Sequence, residues 1–263
     1  MNNTQLVFVV GSGRCGTKMI KKLLAGTDIE ARHEYMRNAY QRDAALYYLG
    51  KLPPQSMAEK LIGIYYPACH YSESPIFLDS SHKLAWVVNI LAGVFPTAKF
   101  IHLVRDGRKV VSSFFYKLNI FDDYSAGVLR DWMGNDALPM PPLEEKFWQI
   151  PYWEHDRFKR ICLHWDESNG NIIENIPTDR SIRVKLEDLT SDHNVLGNFM
   201  EFLDIPESYE GSFMKALQHP EHVYVPIDYQ LTAWQKNQFA HICGDMMKTL
   251  GYNIEEEEYH VKY

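Results

Sequence analysis

An unbroken apolar run, Leu6 to Val10, leads into the glycine-rich turn Gly11 to Gly16 and then into Thr17 to Ala25, where Met19, Ile20, Leu23 and Leu24 recur at helical spacing. A continuous apolar strand followed by a helix is the signature of a parallel sheet covered on both faces. The pattern repeats downstream. Ile76 to Leu78 is a short strand ending at Asp79, and Leu84 to Phe95 is an apolar helix stopped by Pro96. Lys99 to Val104 is a third strand, and Arg105-Asp106-Gly107 turns into a helix reaching about Tyr116. Arg157 to Glu174 reads as a helix, Ser181 to Leu186 as a strand, and Val195 to Leu203 and Thr232 to Leu250 as closing helices. Alternating strands and helices predict an α/β fold, a central parallel sheet flanked by helices. We expect one domain over residues 1–263. The aromatic, proline-rich and acidic stretch at about 117–157 reads as an irregular insertion or lid, and the acidic run Glu255 to Glu258 as a solvated tail.

The first turn reads G11-S-G-R-C-G-T-K18. Gly11, Gly13 and Gly16 spell the G-x-G-x-x-G of a dinucleotide site. Gly11 and Gly16 also have the spacing of a Walker A loop, but there the lysine precedes the Ser or Thr, whereas here Thr17 precedes Lys18. A dinucleotide fold asks for an acidic residue closing a second strand about 20 positions on. Glu30 and Glu34 are available, yet Thr27 to Met36 (TDIEARHEYM) is too polar to read as a strand. What the readings share is physical: clustered backbone N–H groups at a helix start bind anions, and Arg14 and Lys18 add charge.

Residues 99–115 read KFIHLVRDGRKVVSSFF. The strand ends at Arg105, and Ser113 follows eight residues later, across a turn and into a helix. Both side chains then lie at the carboxyl edge of the sheet, where open α/β sheets bind ligands. A guanidinium grips phosphate with two N–H groups and a serine adds a third donor. Either residue alone would read as an ordinary surface or helix-start residue.

Taken together, G-S-G-R-C-G-T and F-I-H-L-V-R-D-G-R-K-V-V-S-S resemble the sulfotransferases that use 3′-phosphoadenosine 5′-phosphosulfate (PAPS), especially their bacterial and Golgi-type branch. The likeness continues in F95-P-T-A-K-F-I, in R183-V-K-L-E-D-L, in F202-L-D-I and in the late W-Q-K-N-Q-F stretch. The resemblance implies a P-loop-like sulfotransferase fold. It implies that Ser12, Gly13, Arg14, Cys15, Gly16, Thr17 and Lys18 hold the 5′-phosphosulfate, and that Arg105 and Ser113 hold the 3′-phosphate. The chain departs from the family at Cys15, where Ser is usual, at Lys18, where Thr is frequent, and at Leu186, where Tyr is common.

Sulfuryl transfer resembles phosphoryl transfer, so positioning and charge stabilisation supply most of the catalysis. Arg14 stands where cytosolic relatives carry a lysine and is expected to neutralise the leaving group, with Lys18 as the alternative cation. Two candidates compete for the base. His82, in D79-S-S-H-K, lies 23 residues before Arg105, close to the place of the cytosolic enzymes' histidine. Glu34, beside His33, follows the first helix where other branches carry a glutamate.

The formal net charge of −7 disfavours a nucleic-acid partner. Cys15, Cys69, Cys162 and Cys243 form neither a CxxC pair nor a zinc spacing, so neither a disulfide framework nor a metal site is expected, and a reducing cytoplasm fits. The polar N-terminus has no signal-peptide pattern, and no run approaches the ~20 apolar residues of a membrane span. The expected partner is a hydroxyl-bearing acceptor, a small molecule, carbohydrate or lipid. A P-loop kinase and a catalytically silent sulfotransferase-like binding protein stay open as alternatives.

Overall fold

The computed structural model of the chain describes residues 4–119, 157–217, 229–253 and 260–261. The expected lid, with its aromatics from Phe121 to Trp153, and the acidic run at 255–258 lie outside the described residues.

Five strands form one parallel sheet: β1 (Gln5–Val10), β2 (Ile29–His33), β3 (Ile76–Ser80), β4 (Lys99–Val104) and β5 (Ser181–Lys185). Their order across the sheet is β2-β3-β1-β4-β5. β1 therefore sits in the middle, paired with β3 (Val7 opposite Leu78) and with β4 (Val9 opposite Ile101).

Side chains alternate across the pleat. Leu6, Phe8, Val10, Phe77 and Phe100 face one layer, packed against α2 (Arg37–Tyr48), α3 (Pro54–Tyr71) and α4 (Val88–Val94). Val7, Val9, Leu78, Ile101 and Leu103 face the other, against α1 (Thr17–Leu23), the helix His193–Phe202 and the helix Glu210–Leu217. A third cluster joins Val110 and Val111 of α5 (Gly107–Asn119) to Trp165 of α6 (Arg157–Asn175) and Phe239 of the helix Ala233–Thr249. Thr232 starts that last helix with a capping box, its hydroxyl and the Gln235 amide each satisfying the other's backbone N–H.

Three local expectations are corrected. Ile29 to His33 is a strand after all. It is the edge of the sheet, partly exposed and paired only with β3, so charged residues alternate along it without entering the core. The dinucleotide reading fails for another reason: β3, not β2, neighbours β1, whereas a dinucleotide fold places its second strand there. The single helix expected from Leu84 to Phe95 is a 3₁₀ turn, His82–Trp86, followed by α4. The break falls at Val87, whose φ of −129° is not helical. Finally, α2 and α3 occupy a stretch for which no element was expected. Met57, Leu61, Ile64 and Tyr65 line the buried face of α3 at helical spacing, and Pro54 opens it at a position where proline is tolerated.

Candidate active site

The carboxyl ends of β1, β2, β3 and β4 deliver four loops to one edge of the sheet. The first, Gly11 to Gly16, folds back against β4. A Cβ on Gly11 would stand 2.4 Å from the Leu103 carbonyl oxygen, so only glycine lets the loop approach this closely. Gly13 has φ +81°, and a Cβ there would stand 3.2 Å from the His82 ring and 3.1 Å from the Phe114 ring. Arg14 is also left-handed at φ +53°, a conformation that costs a non-glycine residue about 1–2 kcal/mol. Such strain persists where surroundings over-determine it.

The surroundings here are the second segment. Arg14 Nε donates to Ser113 Oγ at 2.9 Å, and Arg105 Nη1 donates to the Arg14 carbonyl oxygen at 3.0 Å. The structure thus brings Arg14, Arg105 and Ser113 together from segments some 90 residues apart in the chain. Ser12 and Thr17 are buried, and the Thr17 carbonyl accepts the Ser80 hydroxyl, which ties the loop's exit to β3. Cys15 turns its side chain into the core beneath the loop, and burial pushes its thiol up to about 11. Only its backbone N–H can serve an anion. Lys18 is exposed on the first turn of α1, outside the set formed by Arg14, Arg105 and Ser113. Leu186 packs on the loop, its Cδ1 2.8 Å from where a Gly16 Cβ would be.

The two candidate bases prove to be partners. Glu34 stands on the turn after β2, His82 on the turn after β3, and Glu34 Oε1 lies 3.0 Å from His82 Nδ1. Glu34 Oε2 accepts Arg37 Nη1 at 2.6 Å. Burial works to raise the Glu34 carboxyl. The His82 hydrogen bond, with the charges of His82, His33 and Lys83, outweighs it and holds the group well below the usual carboxylate range. Burial, and then the Lys83 charge, push the His82 imidazole down to about 4, against the pull of Glu34. At neutral pH the pair is therefore a carboxylate and a neutral imidazole. The carboxylate fixes the proton on Nδ1 and leaves the Nε2 lone pair to accept one. His33 instead donates Nδ1–H to the Ser80 carbonyl at 2.7 Å, which pins the turn rather than joining the pair.

Two residues that the sequence reading missed complete the site. His164, on α6, donates Nε2–H to the Ser12 carbonyl at 2.9 Å, and burial followed by the His82 charge pushes it down to about 3. Lys83 is fully buried beside the pair. His164 lies on a helix 152 residues from Ser12, with no motif around it, so no local signal marked it. Among the described residues no group of three His, Cys, Asp or Glu side chains is arranged to hold a metal. No described helix is long and apolar enough to cross a membrane, and all four cysteines are free thiols.

A parallel sheet of this order, with a glycine-rich loop after the central strand and an arginine and a serine meeting that loop, is an α/β fold of the P-loop-like class. The profile of the Sulfotransferase family matches residues 30–209, and the chain belongs to that family. The matched span contains Glu34, His82, Arg105 and Ser113 and begins beyond the first loop. The fold resembles the sulfotransferase domain of the Synechococcus PCC 7002 olefin synthase, at 19% identity and a TM-score of 0.54, covering 96% of this chain and 97% of that one. It also resembles sulfotransferase STF9 from Mycobacterium avium, at 15% identity and a TM-score of 0.57 over 96% of this chain and 78% of that one. Mouse sulfotransferase SULT7A1, solved in complex with PAP, gives 13% identity and a TM-score of 0.52 over 93% of this chain and 84% of that one. At these identities the likeness is one of fold. No curated protein matches the sequence.

Proposed function

We propose that the chain transfers a sulfuryl group from PAPS to the hydroxyl of an acceptor, in a cytoplasmic setting. The observation that carries this reading is the meeting of Arg14, Arg105 and Ser113 at the lip of the glycine loop. An anion held there has donors from two directions, which a donor with phosphate at both its 5′ and 3′ positions requires and a simple nucleotide does not. The Ser12 to Gly16 backbone and Arg14 would hold the 5′-phosphosulfate, and Arg105 and Ser113 the 3′-phosphate.

His82 then acts as the base. Its Nε2 takes the acceptor's proton as the acceptor oxygen bonds to sulfur and the bond between sulfur and the bridging phosphate oxygen breaks. Glu34 fixes the tautomer and stabilises the imidazolium that forms. Arg14 offsets the negative charge growing on the departing phosphate, so product leaves as adenosine 3′,5′-bisphosphate (PAP). No step calls for a metal. We read residues 1–263 as one catalytic unit.

The test is an acceptor screen with radiolabelled PAPS, run in EDTA over sugars, phenols, sterols and long-chain alcohols. Transfer of label to one class, with PAP released in equal amount, supports the reading. Transfer from ATP in place of PAPS, or a strict need for Mg²⁺, would return the kinase alternative.

A further inference from the structure

Next to last in β3 stands a charged residue that the strand itself does not need. Asp79 is fully buried, at a position where the other strand residues Ile76, Phe77 and Leu78 are apolar. A buried carboxylate is costly unless its oxygens find donors. Oδ1 accepts the Tyr35 backbone N–H at 3.1 Å, and Oδ2 accepts the Tyr65 hydroxyl at 2.6 Å. Tyr65 comes from α3 and is itself buried. It also meets the hydroxyl of Tyr40 from α2, which reaches Ser81 Oγ at 3.0 Å.

Tyr35 is the centre of an unusual turn. The residues on either side of it, Glu34 at φ +54° and Met36 at φ +47°, are both left-handed without being glycine. Each such residue costs about 1–3 kcal/mol unless its surroundings hold it. The strand pairing reaches this turn through the Glu34 N–H on the Ser80 carbonyl at 3.2 Å, and stops there. Asp79 makes the next bond, on the one amide between the two strained residues. Three residues further along Asp79's own segment stands His82. One stretch, Asp79 to His82, therefore carries the anchor of the Glu34 turn and the imidazole that Glu34 must meet.

We propose that Asp79 is a positioning residue for the Glu34–His82 pair, holding Tyr35 so that the Glu34 carboxylate faces His82 Nδ1. The inference rests on the reading of that pair as catalytic machinery. Asp79 itself touches neither Glu34 nor His82 through a hydrogen bond, and acts through the backbone of Tyr35. The titratable groups that face it are Glu34 from the turn, Tyr65 from α3 and Tyr40 from α2. Burial, with Glu34's charge adding, pushes its carboxyl up to about 6 against hydrogen bonds from the Tyr65 hydroxyl and the Tyr35 and Ser80 backbone.

The experiment reads the pair directly and needs no acceptor. Proton NMR of the full chain saturated with PAP is recorded for the downfield His82 Nδ1–H resonance, assigned by its loss in Glu34→Gln. Asp79→Leu replaces the carboxylate with an apolar side chain of similar size, and Asp79→Asn keeps an oxygen for the Tyr35 N–H and an amide for Tyr65. The proposal expects Asp79→Leu to lose the resonance and Asp79→Asn to keep it, with the PAP affinity of both within about threefold of the parent. Once an acceptor is known, Asp79→Leu should slow turnover tenfold or more in the parent and by less than twofold in a Glu34→Gln background. A resonance that survives Asp79→Leu overturns the proposal, and so does equal loss in Asp79→Asn or an equal rate penalty in both backgrounds. Should Asp79→Leu not fold, Asp79→Asn and the smaller Asp79→Ala decide the matter by the same resonance, kept in the first and lost in the second. A chain that gives the expected resonances but transfers no sulfuryl group would instead sink the catalytic reading and leave the positioning intact.

Discussion

Glu34 Oε1 and His82 Nδ1 stand 3.0 Å apart although they come from different turns, one after the edge strand and one after its neighbour. The pair converts two rival bases into one device. A carboxylate held below its usual range faces an imidazole that burial keeps neutral, so within the imidazole Nε2 is the proton acceptor.

Replacing His82 by Ala should lower turnover by about 10²–10⁴-fold, the usual worth of a positioned base. Glu34→Gln should cost on the order of tenfold or more, because the amide no longer dictates the tautomer. Isothermal calorimetry should find PAP affinity unchanged in both. A variant that loses nucleotide affinity along with rate would place these residues in the binding site instead.

Arg105→Ala removes a charge-assisted contact worth about 1.5–3 kcal/mol, so PAP should bind about 10–150-fold more weakly. Ser113→Ala removes a single neutral donor and frees Arg14 Nε, and about fivefold is expected. The order of the two effects is the informative part, since the guanidinium carries the charge.

Gly13→Ala should cost about 1–2 kcal/mol of stability from the positive φ alone, and the new methyl also presses on the His82 and Phe114 rings. Thermal unfolding reads the first effect and PAP titration the second. If Ala is tolerated on both counts, the loop is not held as described.

Acid should destabilise the fold, first gently and then steeply. His82, His102 and His164 are lowered to about 4, 4 and 3, so the unfolded chain binds their protons first as the pH drops below about 6.5. Stability from these groups is whole above that pH and is lost as it falls. Asp79 and Asp166, raised to about 6, act in the opposite sense between about 6 and the ordinary Asp range and soften the decline. Below about 4.5 Glu34 joins the histidines, because its folded carboxyl is depressed. Denaturant melts from pH 7.5 to 4 check the shape, and a stability that rises steadily through pH 6 to 4 would contradict it.

Much of the sheet could be read from the chain because buried parallel strands announce themselves as apolar runs: LVFVV, IFL and KFIHLV are β1, β3 and β4. The edge strand could not be, since Ile29 to His33 is paired on one side only and carries Glu30 and Arg32 as a surface ion pair. The meeting of the glycine loop with Arg105 and Ser113 was legible because loop and arginine-serine motifs have fixed local spacing. His164 and Asp79 were not legible as site residues. Their roles arise from contacts with Ser12 and Tyr35, 152 and 44 residues away, that only the folded sheet creates. The inward turn of the Cys15 side chain was not legible, because a motif records the order of residues and not the direction of a side chain.

The meeting of Arg14, Arg105 and Ser113 is best tested by calorimetric titration of the full chain with PAP and with 5′-AMP, which differ in the 3′-phosphate. Two added contacts of about 1–3 kcal/mol each predict that PAP binds at least about 30-fold more tightly, and that Arg105→Ala erases most of the difference. Equal affinity for the two nucleotides, or no binding of PAP, would show that Arg105 and Ser113 do not form a 3′-phosphate site.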